Sequence, residues 1–159
     1  LEDLVIEAEL AGALSDGGLP FDVTLFAPTD TAFRRLVFEY LRDNGTRWWS
    51  AYKTAFRSSD KAISDTIIAV AGDKETLGKI LLYHVVEGEV SASVAVTLKK
   101  AEVETLFAGN SVEVDGFRGR YVRLTDQVGR KSWVVKTDIE ASNGIIHAVN
   151  RVILPFELP

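Results

Sequence analysis

The 159-residue chain contains no cysteine and no methionine, and it has only two histidines. Without cysteine it forms no disulfides and offers no thiolate metal ligand or cysteine nucleophile. Its longest apolar runs, such as residues 80–82, are far shorter than the roughly 20 residues that a membrane-spanning helix needs. The net charge of -5 argues against a partner such as duplex nucleic acid, which requires a basic face. The composition of the chain, 47% hydrophobic and 26% charged residues, is typical of a globular domain.

The missing methionine also bears on localisation. Because the chain starts at Leu1 without an initiating methionine, we expect a targeting segment, an anchor or further domains to have been removed. Any membrane association would then depend on segments absent from this chain.

The hydrophobic pattern predicts helices first and strands later. Apolar residues at three- and four-residue steps predict helices over residues 2–14, from Thr29 or Asp30 to Asn44, around Trp48, and from caps at Asp60 and Asp73. Shorter β-rich pieces predict these strands: Phe21–Phe26, Glu102–Phe107, Ser111–Val114, Arg120–Thr125, Ser132–Lys136 and Ile145–Leu154. We therefore predict one α+β domain over residues 1–159, with helices packed on an antiparallel sheet or sandwich.

Three blocks, "TLFAPTDTAF" (residues 24–33), "LLYHVV" (residues 81–86) and "NGIIHAVNRVILP" (residues 143–155), carry a family resemblance. Their order and spacing resemble the signatures of the fasciclin-like (fasciclin I-type) domain family. The resemblance implies a wedge-shaped antiparallel β-sandwich with several packed helices, found outside the cell or at its surface. It also implies a role in adhesion or matrix attachment, with no catalysis and no cofactor.

The first block predicts a strand that breaks sharply into a helix. The strand containing Thr24 must stop at Pro28, which cannot continue the ladder. Thr29 and Asp30 supply side-chain oxygens for the free amides of the next helix, and Phe33 returns to the core. We expect a structural role for this block.

The third block predicts a turn followed by a long central strand. Asn143 and Gly144 tolerate the positive φ of a tight turn, and Pro155 ends the strand that contains His147. The family generally has aspartate at the position of Asn150, so any hydrogen bond made there is neutral and weaker here.

The adjacent Tyr83 and His84 lie inside an apolar run, where polar rings need a partner. One interpretation pairs His84 with His147 and a carboxylate, Asp30 or Asp138, as a hydrolase base and its orienting acid. The sequence offers no nucleophile elbow for such chemistry and no close pair of metal ligands. We favour a structural His84, buried and bonded to the turn at residues 28–30, and we expect no metal site.

The resemblance adds a binding interpretation of the same residues. It associates the Tyr83-His84 pair, and an Asp138-Ile139 element, with integrin-type contacts in animal members of the family. An exposed Asp138 could ligate a cation held by a receptor, whereas a packing or turn-capping role is the simpler alternative for all four residues. Asn44 begins an Asn-Gly-Thr glycosylation sequon, which has meaning only in a eukaryotic secretory route.

Residues 38–74 are longer than expected from the resemblance and predict a helical insertion. Trp48 and Trp49 are adjacent there, so on a helix they point about 100° apart and cannot both face one core. We expect Trp48 to pack inward together with Tyr52 and Phe56. Trp49 would then lie at the edge beside Lys53, where a cation–π contact could shelter it. We favour both Trp rings covering the hydrophobic flank of this helix over the alternative that Trp49 marks a site for a sugar or a partner.

The leading functional interpretation is therefore an extracellular adhesion module that binds a matrix or cell-surface protein or polysaccharide. The first alternative is a carbohydrate-binding module that uses exposed aromatic rings. The third is a hydrolase built on His84 and His147. Exposure of Trp48 and Trp49 distinguishes the first two, and a polar pocket joining the histidines would favour the third.

Overall fold

The computed structural model describes residues 22–158. Its elements are, in chain order, β1 (Val23–Pro28), α1 (Asp30–Asp43), α2 (Trp48–Arg57), α3 (Asp60–Ala71), α4 (Lys74–Tyr83), β2 (Val85–Glu87), α5 (Ala92–Ala95), β3 (Ala101–Glu104), β4 (Ser111–Phe117), β5 (Tyr121–Thr125), β6 (Lys131–Ala141) and β7 (Gly144–Val149). The predicted helix over residues 2–14 and the predicted strand start at Phe21 lie outside the described residues. The sequence pattern missed the short elements β2 and α5.

Helices α1, α3 and α4 begin at side-chain caps. Thr29 caps α1 and Asp73 caps α4, each through a side-chain oxygen that accepts a free backbone amide. The expected cap at Asp60 is wrong by one residue. Ser59 is the extended residue before α3, and its hydroxyl accepts the Ala62 amide at 3.3 Å.

The strands form one seven-stranded sheet with the order β2-β1-β7-β6-β5-β4-β3. A bridge between Val86 and Thr105 joins the two outer strands, so the sheet curls nearly closed. The expected antiparallel arrangement is wrong at one pair, because β1 and β7 run parallel with Thr24 opposite Ile145. The α+β class is correct, but the strands form one curled mixed sheet and are not clearly a two-sheet sandwich.

Strand β6 connects the two halves of the sheet. Its residues 131–133 pair with β5, and its residues 134–141 pair with β7 through two shifts in register. The predicted strand Ser132–Lys136 was therefore too short. The predicted strand Ile145–Leu154 was too long, since β7 ends at Val149.

Side chains hold the backbone of residues 151–154 where a strand was expected. Ser132 Oγ donates to the carbonyl of Arg151, Arg130 Nη2 donates to that of Val152, and the amides of Ile153 and Leu154 donate to His84 Nε2 and Asp126 Oδ2. We call residues 151–154 the C-terminal segment. It stays buried because these bonds satisfy backbone groups that have no strand neighbour.

Two apolar clusters form the core. One lies among the helices and includes Phe33, Leu36, Val37, Ile67 and Leu77. The other fills the curled sheet and includes Phe26, Tyr83, Val112, Leu124 and Ile153. The Tyr83-His84 pair lies at the end of α4, where the chain passes from the helical cluster into the sheet.

Candidate functional site

Tyr83 lies wholly inside the protein, with 0% of its surface exposed. Its hydroxyl donates to the carbonyl of Ser111 at 2.8 Å and accepts the amide of Gln127 at 3.2 Å. Burial raises the pKa of Tyr83 above its ordinary value, so the ring stays neutral. The side chain thus ties α4 to the start of β4 and to the loop after β5. In this position it presents no surface to a partner.

His84 is equally buried, and both of its ring nitrogens have backbone partners. Nδ1 donates to the carbonyl of Ile80 at 2.7 Å, and Nε2 accepts the amide of Ile153 at 3.1 Å. This pattern assigns the neutral tautomer with its proton on Nδ1, and burial lowers the pKa of His84 to about 4. The expected side-chain bond to the turn at residues 28–30 is wrong, because the C-terminal segment, which had been predicted as strand, supplies the partner instead.

His147 makes a second bridge of the same kind on β7. Nε2 donates to the carbonyl of Val90 at 2.8 Å, and Nδ1 accepts the amide of Asp138 at 3.2 Å. The ring of His147 also stacks on Phe26. In each histidine, both ring nitrogens are therefore hydrogen-bonded to backbone groups. The cavity beside His84 has a volume of about 20 Å³ and mostly apolar walls, which is room for a single water rather than a substrate.

Asp138 and Ile139 occupy an irregular part of β6. Asp138 has a φ of 52°, and its carboxylate accepts the Ala92 amide at 2.9 Å, at the start of α5. The side chain is exposed, and Ile139 is half-buried. The Asp138 carboxylate is therefore hydrogen-bonded within the protein. Because the side chain is exposed, its oxygens are the part of this element that a binding partner could reach.

The block at residues 24–33 joins strand and helix in the expected manner, and Thr24 adds a contact that the sequence did not suggest. Its buried hydroxyl donates to the carbonyl of Gly88 at 2.7 Å and accepts the amide of Val90 at 2.8 Å. Phe33 is buried in the helical cluster. Asp30 is exposed in the first turn of α1, where its charge favours the helix dipole.

The turn at Asn143-Gly144 depends on glycine. Gly144 has a φ of 142°, and a Cβ there would lie 1.9 Å from the carbonyl oxygen of Val23, so no other residue fits. Asn150 lies just after β7, and its side-chain oxygen accepts the Trp133 amide at 2.9 Å. The neutral bond expected at Asn150 thus joins the end of β7 to β6. Pro155 lies after the C-terminal segment rather than at the end of a strand.

The aromatic residues of α2 are arranged differently from the prediction. Ala51 and Ala55 face the core, whereas Trp48 is 53% and Trp49 64% exposed. Trp48, Trp49 and Tyr52 lie 5.4–5.7 Å apart with ring planes within 23° of parallel. We call these three rings the α2 aromatic face.

Trp48 was expected to pack inward and does not. It belongs to the first turn of α2, where the edge of Phe38 touches it at a centroid distance of 6.3 Å. The cation–π contact expected between Trp49 and Lys53 is likewise not among those found within residues 22–158. The two Trp rings shelter each other instead, and their outer surfaces face solvent.

A second exposed aromatic surface lies at the tip of the β4–β5 hairpin, outside every site predicted from the sequence. A groove of about 780 Å³ is lined by Phe117, Arg120 and Tyr121 of the hairpin and by residues 133–137 of β6. We call it the hairpin groove. Sequence pattern could not reveal it, because β6 and the hairpin tip meet only through the fold.

No group of three or more metal-ligating side chains occurs in the part of the chain that the structure describes. Within residues 22–158, no helix combines the length and apolar character needed to cross a membrane. Asn44, the sequon residue, is exposed at the end of α1, and its side-chain amide donates to the carbonyl of Tyr40.

Comparison with known proteins identifies the family. The sequence model of the Fasciclin domain matches residues 1–155, and the chain belongs to the fasciclin domain family. The expected resemblance is thereby confirmed. The predicted insertion within residues 38–74, which spans the end of α1 and all of α2 and α3, stays a prediction.

Two curated relatives come from Synechocystis sp. One, named Protein sll1483, is 32% identical over 148 residues, covering 93% of this chain and 62% of that protein. The other, named Uncharacterized protein sll1735, is 31% identical over 150 residues, covering 94% of this chain and 84% of that protein. The chain therefore spans less than two thirds of the length of the first relative.

A solved structure shows the same fold. It is a FAS1 domain pair from the insect cell adhesion molecule Fasciclin I, and the match has a TM-score of 0.61. The identity is 17%, and the match covers 95% of this chain and 45% of that one. At this identity the likeness concerns the fold alone.

Proposed function

We propose that this domain is an extracellular or cell-surface interaction module that binds a matrix or cell-surface partner and performs no catalysis. Membership of the fasciclin family, whose domains generally serve adhesion, supports this assignment. The fold is also that of a domain pair from a cell adhesion molecule.

The observation that carries the proposal is how the polar and aromatic side chains are divided between interior and surface. The interior rings of Tyr83, His84 and His147 are saturated with backbone hydrogen bonds. The exposed large apolar residues lie elsewhere: Trp48, Trp49, Val94, Tyr121 and Val135. Exposed aromatic rings of this size are costly to leave in water and are enriched where proteins bind partners.

The same division argues against the hydrolase alternative. A general base must reach a substrate proton, but neither His84 nor His147 has a free ring nitrogen, and the cavity beside His84 is too small for a substrate. Asp138 lies against His147 through its backbone amide and caps α5 with its carboxylate, so the pair does not form a base with its orienting acid.

The proposal is tested by applying the labelled 159-residue chain to an array of glycans and matrix proteins. We expect saturable binding to at least one ligand class, lost on heat unfolding of the chain. An array on which the folded and the unfolded chain give the same signal would refute the proposal.

A carbohydrate-binding function on the α2 aromatic face is the second candidate, and the exposure of both Trp48 and Trp49 favours it. Parallel aromatic rings open to solvent offer apolar surfaces on which sugar rings can stack. Trp48→Ala and Trp49→Ala should each abolish binding to neutral glycans on the array. The matched control is Thr54→Ala, which alters an exposed residue of the same helix outside the stacked rings. Neutral-glycan binding that survives both Trp variants would exclude this face.

A further inference from the structure

Exposed cations and aromatic rings lie together at the hairpin groove. The whole chain carries a net charge of -5, yet Arg120 and Lys136 line this groove, Arg118 lies beside it at the hairpin tip, and all three are exposed. None of the three forms an ion pair with any carboxylate among residues 22–158. Asp115, on the same hairpin, is bonded to Arg123. The groove is thus a positively charged region on a protein whose net charge is negative.

Aromatic rings lie directly beside these cations. The guanidinium carbon of Arg118 lies 5.3 Å from the ring centre of Phe117, and that of Arg120 lies 5.5 Å from the ring centre of Tyr121. Phe117 packs edge-on against Trp133 at 5.4 Å. Each arginine of the hairpin tip therefore lies over the aromatic ring next to it in the sequence.

The backbone of the hairpin tip sets the positions of these two arginine–ring pairs. Phe117 and Tyr121 are paired across the hairpin, and between them Arg118 and Gly119 both adopt positive φ, 54° and 63°. Left-handed backbone is unfavourable for an arginine, which the rest of the hairpin must hold in place. The tip is therefore a tight turn that presents its two arginines at set positions instead of on a flexible loop.

From this geometry we propose that the hairpin groove binds an acidic polysaccharide of the uronic acid type. Each residue of such a chain repeats a sugar ring, whose C–H face stacks on an aromatic ring, and a carboxylate, which pairs with a guanidinium. Such a chain therefore presents a sugar ring beside each carboxylate, as the hairpin tip presents an aromatic ring beside each arginine. An acidic protein segment would match the charges but carries no ring face beside each carboxylate. The open groove also leaves sugar hydroxyls in contact with water.

This inference deepens the proposed function, on which it rests, by naming a ligand class and a surface. It also separates two surfaces, because arginines lie over aromatic rings at the hairpin tip, whereas none of the cation–π contacts found within residues 22–158 involves the α2 aromatic face. A neutral sugar is expected at the α2 aromatic face, and a charged one at the hairpin groove.

The test is calorimetric titration of the 159-residue chain with a galacturonic acid oligosaccharide. Its methyl-esterified form, which keeps the rings and removes the charges, is the ligand control. We expect binding of the free acid that weakens as salt increases, and at least about tenfold weaker binding of the ester. Equal binding of the two forms would overturn the role of the arginines.

Two variants locate the site. Arg118→Asn with Arg120→Gln removes both cations while asparagine tolerates the positive φ, and Lys53→Gln with Arg57→Gln makes the same charge change on α2. The hairpin variant should lose about tenfold in affinity and the α2 variant should lose little. An equal loss in both would mean that only overall charge matters, which contradicts a site in the groove.

Tyr121→Thr tests the ring at unchanged charge, and we expect about threefold weaker binding of the oligosaccharide. An oligo-glutamate peptide of equal charge is the remaining probe. Binding of that peptide as tight as that of the sugar would show an acidic protein segment to be the ligand and overturn the sugar assignment. If the array shows binding but the oligosaccharide does not bind, this inference fails while the proposed function stands.

Discussion

The end of α4 and the exposed face of α2 use similar side chains for opposite purposes. Tyr83 and His84 are buried, and every hydrogen-bonding atom of their rings is engaged with backbone. Trp48 and Trp49 make few contacts apart from each other and two neighbouring rings, and more than half of each is exposed. The motif that attracts attention in the sequence holds the fold together, whereas the surface available for recognition lies in segments with no motif.

The largest expected effect is at His84. Replacing it by alanine leaves the carbonyl of Ile80 and the amide of Ile153 without their partner and opens a cavity, so unfolding should become easier by about 3 kcal/mol. Trp49→Ala, an equally drastic change at the surface, should cost less than about 0.5 kcal/mol. Urea denaturation of both variants measures this difference in unfolding free energy. Similar losses of stability in the two variants would contradict the distinction between a structural interior and an exposed aromatic face.

The second prediction concerns pH. His84 keeps a pKa of about 4 in the fold, whereas an unfolded histidine titrates near 6.5. Between these values the unfolded state binds the additional proton, so the free energy of unfolding falls as pH decreases from about 6.5 to about 4, by up to about 3 kcal/mol. Glu39 also contributes to the pH dependence. Burial raises the pKa of Glu39, but the bonds to Arg151 and Arg35 lower it by more, so the net pKa lies below its ordinary value. The stabilisation that Glu39 provides is therefore lost as pH falls through that lowered pKa.

The His84→Ala variant separates the two groups, because it retains Glu39. The difference in unfolding free energy between the parent and His84→Ala should shrink as pH falls from 6.5 to 4. Urea titrations at a series of pH values give that difference directly. A difference that stays constant over this range would show that His84 does not remain neutral in the fold.

A smaller effect is expected at the tyrosines. Tyr83→Phe removes a hydroxyl that bonds Ser111 and Gln127 inside the protein, and it should cost about 1–2 kcal/mol. The matched change Tyr121→Phe removes a hydroxyl from an exposed ring and should cost less than about 0.5 kcal/mol. Thermal unfolding followed by circular dichroism compares the two, and an equal cost would contradict the interior role of Tyr83.

The smallest structural effect is expected at the tryptophans, where the signal is optical. Iodide should quench the fluorescence of the native protein, because Trp48 and Trp49 face solvent. Trp49→Phe should remove a large part of the quenchable emission and leave the melting temperature unchanged. Emission that iodide cannot reach in the native protein would mean that the α2 aromatic face is covered and binds nothing from solution.

The sequence predicted local features well, because they depend on neighbouring residues. Caps at Thr29 and Asp73, the end of α1 at Asn44 and the glycine turn at Gly144 all follow from side-chain chemistry within a few positions. The family signatures likewise lie in short blocks. These features sufficed to predict the α+β class and the family.

The errors concern relations between distant segments. The parallel pairing of β1 with β7 and the partner of His84 in the C-terminal segment depend on how the sheet curls, which no local pattern encodes. Periodicity placed Trp48 with Tyr52 and Phe56 on the buried face of α2, but the residues of this helix that are buried are Ala51 and Ala55. The hairpin groove was missed for the same reason.

The most direct test of the account is the affinity of folded Tyr83→Phe for whichever ligand the array identifies, measured beside the surface variants of α2 and of the hairpin groove. We predict that Tyr83→Phe binds with unchanged affinity despite its lower stability, while a surface variant keeps the parent melting temperature and loses binding at least about tenfold. A folded Tyr83→Phe protein that no longer binds, together with surface variants that bind normally, would contradict the division between a structural interior and a recognising exterior.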